Sequence, residues 1–333
     1  MVKRSRPRHI ALTPSAPLLV IFCLSLVIGG IVTVRSTGHA ATPYAANRID
    51  AADIPRIPHP PRPGADASYG SLTQDCGRNE KGHYNADNMV TSPGLVGGAH
   101  HTHEYVGNVS TDARSTDRSL AAAATTCAGG DLSPYYWPVL RRLDRKGADR
   151  HAHGGGSDGN TGEILPPASV KIEFLGNPVA KVVPMPRFLR LVTGDPVAAT
   201  TNDERVRAQW GCTGRPDRAG RHYPRCPAGS GPTRTLEFPS CWNGLHTDSP
   251  DHRAHAVFPA PSGLCPPATF PVPRLRVTLA YRLPHGVPYA IDSFPEQKRH
   301  PKTDHAFFVN VMPEQRLARI ARCVNEGRRC GPR

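Results

Sequence analysis

Between Gly97 and Gly107 the chain reads GGAHHTHEYVG, and between Leu236 and Pro259 it reads LEFPSCWNGLHTDSPDHRAHAVFP. The first stretch offers His100, His101 and His103, and the second offers Asp251, His252 and His255. Neutral imidazoles with a carboxylate suit zinc, copper and related transition ions. A catalytic centre of this kind takes three protein ligands and keeps one position open for water. Such an ion lowers the pKa of its water and polarises an ester, amide or acetal oxygen. On an extended strand His101 and His103 project from the same face, so they are placed to share a ligand. The expected ligands are His101, His103 and one of His252 or His255, with His252 taken as the third. Asp251, His255 and Asp195 are then the acid–base candidates, and they also serve a metal-free variant. All of this requires the two segments to meet in space.

The second segment has apolar residues at its ends and polar groups in its middle, with a period of neither two nor 3.6, so it reads as a loop. Strand-like runs surround it, VKIEFLG, FLRLVTGD and the alternating LRVTLAYRL from Leu275 to Leu283. Near the C-terminus Leu317, Ile320, Ala321 and Val324 fall on one helical face. Pro and Gly make about a fifth of the 333 residues, 36 and 31 of them, and aromatics only 6%. This composition predicts a loop-rich, mainly β body with short helices, a disulfide-stapled β-sandwich or jelly-roll-like single domain. Tyr135, Tyr136 and Trp137 read as packing residues. His151 and His153, in DRHAHGGGSDGNTGEILPP, read as part of a mobile surface loop.

Lys3, Arg4, Arg6 and Arg8 precede an uncharged run from Ala11 to Val34, the pattern of a membrane-targeting segment with its basic end inside. The predicted organisation is a basic cytoplasmic stretch over 1–10, a transmembrane anchor or signal segment over 11–34, a Pro-rich stalk over 35–68 and an extracellular domain over 69–333. The protein is thus expected on the outer face of the membrane or secreted. Cys76, Cys127, Cys212, Cys226, Cys241, Cys265, Cys323 and Cys330 form an even set suited to an oxidising compartment, and nearest neighbours give four pairs in that order. No paired C-x-x-C suggests a zinc ribbon. Removing Lys3, Arg4, Arg6, Arg8 and Arg35 from the formal charge of +14 leaves +9. Outside a cell that charge favours acidic polysaccharide or an anionic envelope polymer as partner. No basic-aromatic recognition motif points to nucleic acid. No G-x-S-x-G elbow supports a serine nucleophile. Asp131, Asp195, Glu237 and Asp251 are available for glycoside cleavage, without a spacing that singles out a pair.

The ordered set GAHHTHEYVG, TTCAGGDLSPYYWPVL, FLRLVTGD, FPSCWNGLHTDSPDHRAHAVFP, GLCP and DHAFFVNV…ARCVNEGRRCG resembles the exported actinobacterial and fungal family called domain of unknown function nineteen-ninety-six. The resemblance covers roughly residues 70 to 331. It implies that His101 and His103 match the family's H-x-H, that Asp251, His252 and His255 match its D-H-x-x-H, and that His305 matches a further histidine. Trp242 and Asn243 also lie in the shared string. The chain departs from the family at Asn243 and Phe307, where carboxylates are usual. The expected activity is that of a metal- or histidine-dependent hydrolase or lyase acting on polysaccharide; the alternative is a non-catalytic carbohydrate-binding or envelope protein.

Overall fold

Five antiparallel strands build the sheet that carries the histidines. In the computed structural model, which describes residues 47–332, their order is Tyr84–Asn85, His103–Gly107, Pro134–Pro138, His305–Val309 and Arg190–Gly194. Side chains alternate across a strand, and here the alternation separates two apolar clusters. Val106, Tyr135, Trp137, Leu191, Ala306 and Phe308 enter the main core. Tyr105, Tyr136, Val192, Phe307 and Val309 enter a second cluster, with Met89, Val90 and Leu120 from the segments that cover that face. His103 and His305, in step with Tyr105 and Phe307, belong to the second face.

The main core closes against a six-stranded sheet in the order Gln209–Cys212, Pro232–Glu237, Arg274–Ala280, Ser169–Leu175, Ser71–Gln74 and Arg329–Cys330. Within Arg274–Ala280, Leu275, Val277 and Leu279 are buried and their neighbours half-exposed, the alternation read from the sequence. Phe308 bridges the two sheets, its ring 6.3 Å from Phe174 and 6.5 Å from Phe238. The architecture is therefore a β-sandwich with short helices, as expected. The C-terminal helix, Glu314–Asn325, buries the predicted Leu317, Ile320, Ala321 and Val324. Four disulfides join Cys76 to Cys127, Cys212 to Cys226, Cys241 to Cys265 and Cys323 to Cys330, each the nearest-neighbour pair.

Two expectations are corrected. The described part of the Pro-rich 35–68 stretch is not a free stalk. Arg48–Asp50 pairs in parallel with Tyr223–Arg225, and Ala51 and Ile54 bury against Cys212. A short edge pairing tolerates the flanking prolines, and the few apolar residues among them find a place on the body. The glycine-rich insert around His151 and His153 is anchored rather than loose. Asp149 accepts two bonds from the buried Arg141 guanidinium, and the Asn160 amide donates to the carbonyls of His100, Gly154 and Ser293. Buried charge and amide partners outweigh the chain entropy that its glycines suggest. The 1–10 and 11–34 segments lie outside the described residues. Among those described, no helix is long and apolar enough to cross a membrane.

Candidate metal centre

Three histidines meet on the outer face of the five-stranded sheet. His101 Nε2 lies 3.1 Å from His103 Nε2 and 3.2 Å from His305 Nε2, and the last two are 3.5 Å apart. The register explains the meeting. His103 faces Pro138 on the central strand, and Phe307 faces Tyr136, so two residues further His305 flanks Pro138 from the other side. The two imidazoles close over a residue with a compact ring and no N–H. His101 arrives from the loop two positions before His103, on the same side. Phe294 stands edge-on to His101, and Tyr136 and Phe307 wall the remaining sides.

Their outer nitrogens fix the proton positions. His103 Nδ1 donates to the Asp87 carbonyl at 2.8 Å, and His305 Nδ1 donates to the Thr303 carbonyl at 2.8 Å. A carbonyl can only accept, so in both neutral rings Nε2 carries a lone pair. His101 Nδ1 is buried without a partner of ordinary geometry, although the Ala99 carbonyl acts on it. A proton on His101 Nε2 would satisfy one neighbouring lone pair and leave the other facing nothing. One cation satisfies all three. The three nitrogens define a circle of about 1.9 Å radius, close to the 2.0–2.1 Å of a zinc–imidazole bond, so His101, His103 and His305 could together hold one ion.

Burial keeps these rings neutral. With exposures of 2%, 0% and 1%, His101, His103 and His305 are held below the usual histidine range mainly by desolvation, His103 to about 4 and His305 to about 3. His101 is pushed well below, by burial and then by the other two rings. Neutral imidazole is the form that binds a metal.

His252 and His255, expected to supply the third ligand, do not join this group; His305 takes that place. His255 Nε2 donates to the Arg190 carbonyl at 2.6 Å, which leaves Nδ1 to accept from the Ser249 hydroxyl at 2.8 Å. His252 Nδ1 pairs with Asp248 at 2.9 Å. Asp251 Oδ1 accepts from the backbone N–H groups of Ala254 and Arg253, which hold its carboxyl at about 2, and lies 2.9 Å from Ser249 Oγ. An anion so fixed closes its own loop and is a poor base at neutral pH. Asp195 Oδ1 accepts from the Val197 amide in a turn. Asn243 Oδ1 accepts from the amides of Leu245 and His246, and the Trp242 indole donates to the His246 carbonyl. The Leu236–Pro259 segment approaches the strand next to His305 rather than the Gly97–Gly107 stretch: Arg253 donates to the carbonyl of Gly194, the strand partner of His305, and its charge further disfavours protonation of His305.

Residues 87–309 match the family described as Domain of unknown function (DUF1996). The chain belongs to that family. No curated protein and no solved structure matches it. The DUF1996 span opens at Asp87, whose carbonyl holds His103, and closes on Val309, the end of the His305 strand. It therefore contains the whole trio and its supports.

Within the DUF1996 span, buried ion pairs brace the three histidines from behind. Arg141 binds Asp292 at 2.6 Å, and Asp292 accepts the amide of Thr102, the residue between His101 and His103. Arg234 binds Asp304, the residue before His305, and donates to the Pro138 carbonyl at 2.8 Å. Sequence reasoning did not single out Asp87, Arg141, Arg234, Asp292, Asp304 or Phe294. The one available signal was an acid placed directly before His305.

Proposed function

We propose that this protein is an exported metalloprotein that holds a divalent transition ion, zinc or copper, on His101, His103 and His305, and uses it on polysaccharide or an anionic envelope polymer. The observation that carries the reading is the convergence of three buried Nε2 atoms whose rings are locked, in two cases, with the lone pair inward. Among the described residues no fourth His, Cys, Asp or Glu atom joins the group. That favours an ion with an exchangeable position over a closed four-ligand structural site. Bound there, the ion would supply Lewis acidity and an acidified water. His103 and His305 hold their orientation through backbone carbonyls, and Arg253 opposes loss of the centre by protonation of His305. Four disulfides are consistent with an extracellular setting, and the basic charge supports an acidic polymer as partner. A cleft lined by Arg48, Arg225, His285 and Tyr289 shares no residue with the trio.

The near-complete burial of the three rings favours a second reading, in which the ion ties the His101 loop to two strands and the polymer binds elsewhere. Elemental analysis of wild type, His101→Ala and His252→Ala, with turnover assays on acidic polysaccharides, tests both. The expected result is one equivalent of metal in wild type and His252→Ala, lost in His101→Ala, with turnover lost alongside. Metal lost without any turnover in wild type supports the structural reading. Wild type without metal after reconstitution with zinc or copper sinks both.

A further inference from the structure

Three groups that this centre does not use lie together at the surface beside it. His100 Nδ1 is 3.5 Å from one oxygen of Asp158, and His153 Nδ1 is 3.1 Å from the other. The two rings are 5.1 Å apart, and one ligand atom from each residue falls within 4.8 Å of the others. The His100 and His153 side chains are 49% and 57% exposed, whereas Asp158 is 14% exposed.

The cluster is built from two directions. His100 has φ of 52°, a left-handed conformation uncommon for a residue with a side chain. Through that turn the consecutive residues His100 and His101 leave the backbone for two different clusters, with Phe294 packed against both rings. The opposing loop is held in place without its histidine contacts, by Asp149 on Arg141, by Asn160 on the carbonyls of His100 and Ser293, and by Asp158 Oδ2, which accepts the Gly154 amide. Two histidine–carboxylate contacts are therefore not needed to fix the loop. Two half-exposed imidazoles and one mostly buried carboxylate form the donor set of a three-ligand site for borderline divalent ions.

We propose that His100, His153 and Asp158 form a second metal site, which takes a divalent transition ion in exchange with solvent. It stands independently of the trihistidine centre: the rings of that centre are buried, whereas those of His100 and His153 are half-exposed. The test is calorimetric titration of the tag-free full-length protein with zinc chloride at neutral pH, after elemental analysis has fixed its resident metal. The expected result is one exchangeable equivalent in wild type. His153→Ala weakens that binding by more than about ten-fold, since even the loss of a ligand's supporting partner costs this much. His153→Asp, which returns a ligand atom, recovers it, while resident metal and melting temperature stay at wild-type values in both variants. The proposal is overturned if wild type takes up no exchangeable zinc, if His153→Ala binds as wild type does, or if His153→Asp fails to restore binding.

Discussion

A ring nitrogen bonded to a backbone carbonyl is already committed, and in His103 and His305 that commitment turns the other nitrogen inward. The same burial has a measurable pH consequence. Desolvation brings His103 to about 4 and His305 to about 3, against 6.5 for an exposed histidine. Between these values and 6.5 the unfolded chain takes up protons that the folded chain does not. Stability of the metal-free protein is thus complete above pH 6.5 and is lost as pH falls toward 4, by up to about 1.4 kcal/mol per pH unit for each histidine. Denaturant midpoints of chelator-treated protein across this range check it. His103→Asn, which keeps a donor to the Asp87 carbonyl, reduces the slope, and a flat wild-type profile contradicts the account. At this scale the H-x-H pair was legible as a pair, although His101 reaches the trio from the loop before the strand and not by strand alternation. The D-H-x-x-H segment was not, since the same spacing serves a ligand pair and a loop that caps itself. Residue types do not say whether a histidine nitrogen faces a carbonyl or a shared centre.

The strands position the centre, and buried ion pairs hold the strands. Arg234 and Asp304 are both fully buried, so removing one charge leaves the other without compensation. Asp304→Asn is expected to cost about 3–5 kcal/mol in chemical denaturation. It should also lower the metal content, because the carboxylate sits next to His305 and its partner also grips the Pro138 carbonyl between the two ligand strands. A cost below about 1 kcal/mol would place the pair among ordinary surface salt bridges. The elements themselves were largely readable: the period of two in 274–280 and the helical face at 317–324 each depend on local pattern. The pairing of the His103 and His305 strands around Pro138 was not. Register between segments two hundred residues apart leaves no mark in either one.

Across the molecule the disulfides close loops of very different length. Cys76–Cys127 spans 51 residues and Cys323–Cys330 only 7. Loop-closure entropy assigns about 4 kcal/mol to the first and about 2 kcal/mol to the second. The double Cys→Ser replacement at 76 and 127 is therefore expected to lower stability by roughly 2 kcal/mol more than that at 323 and 330, as read by urea unfolding. Equal losses would show that strain or residual unfolded structure dominates. The pairing was legible because all four bridges join neighbours in sequence, whereas the docking of residues 48–54 on the body was hidden by the proline-rich run that follows from Pro55. His101 and His305 stand 204 positions apart, on opposite sides of a central strand. Neither end of the nascent polypeptide can therefore capture an ion alone. An ion held by all three would be loaded only after both segments have folded together, and the ion supply of the place where that happens would decide which one is taken up.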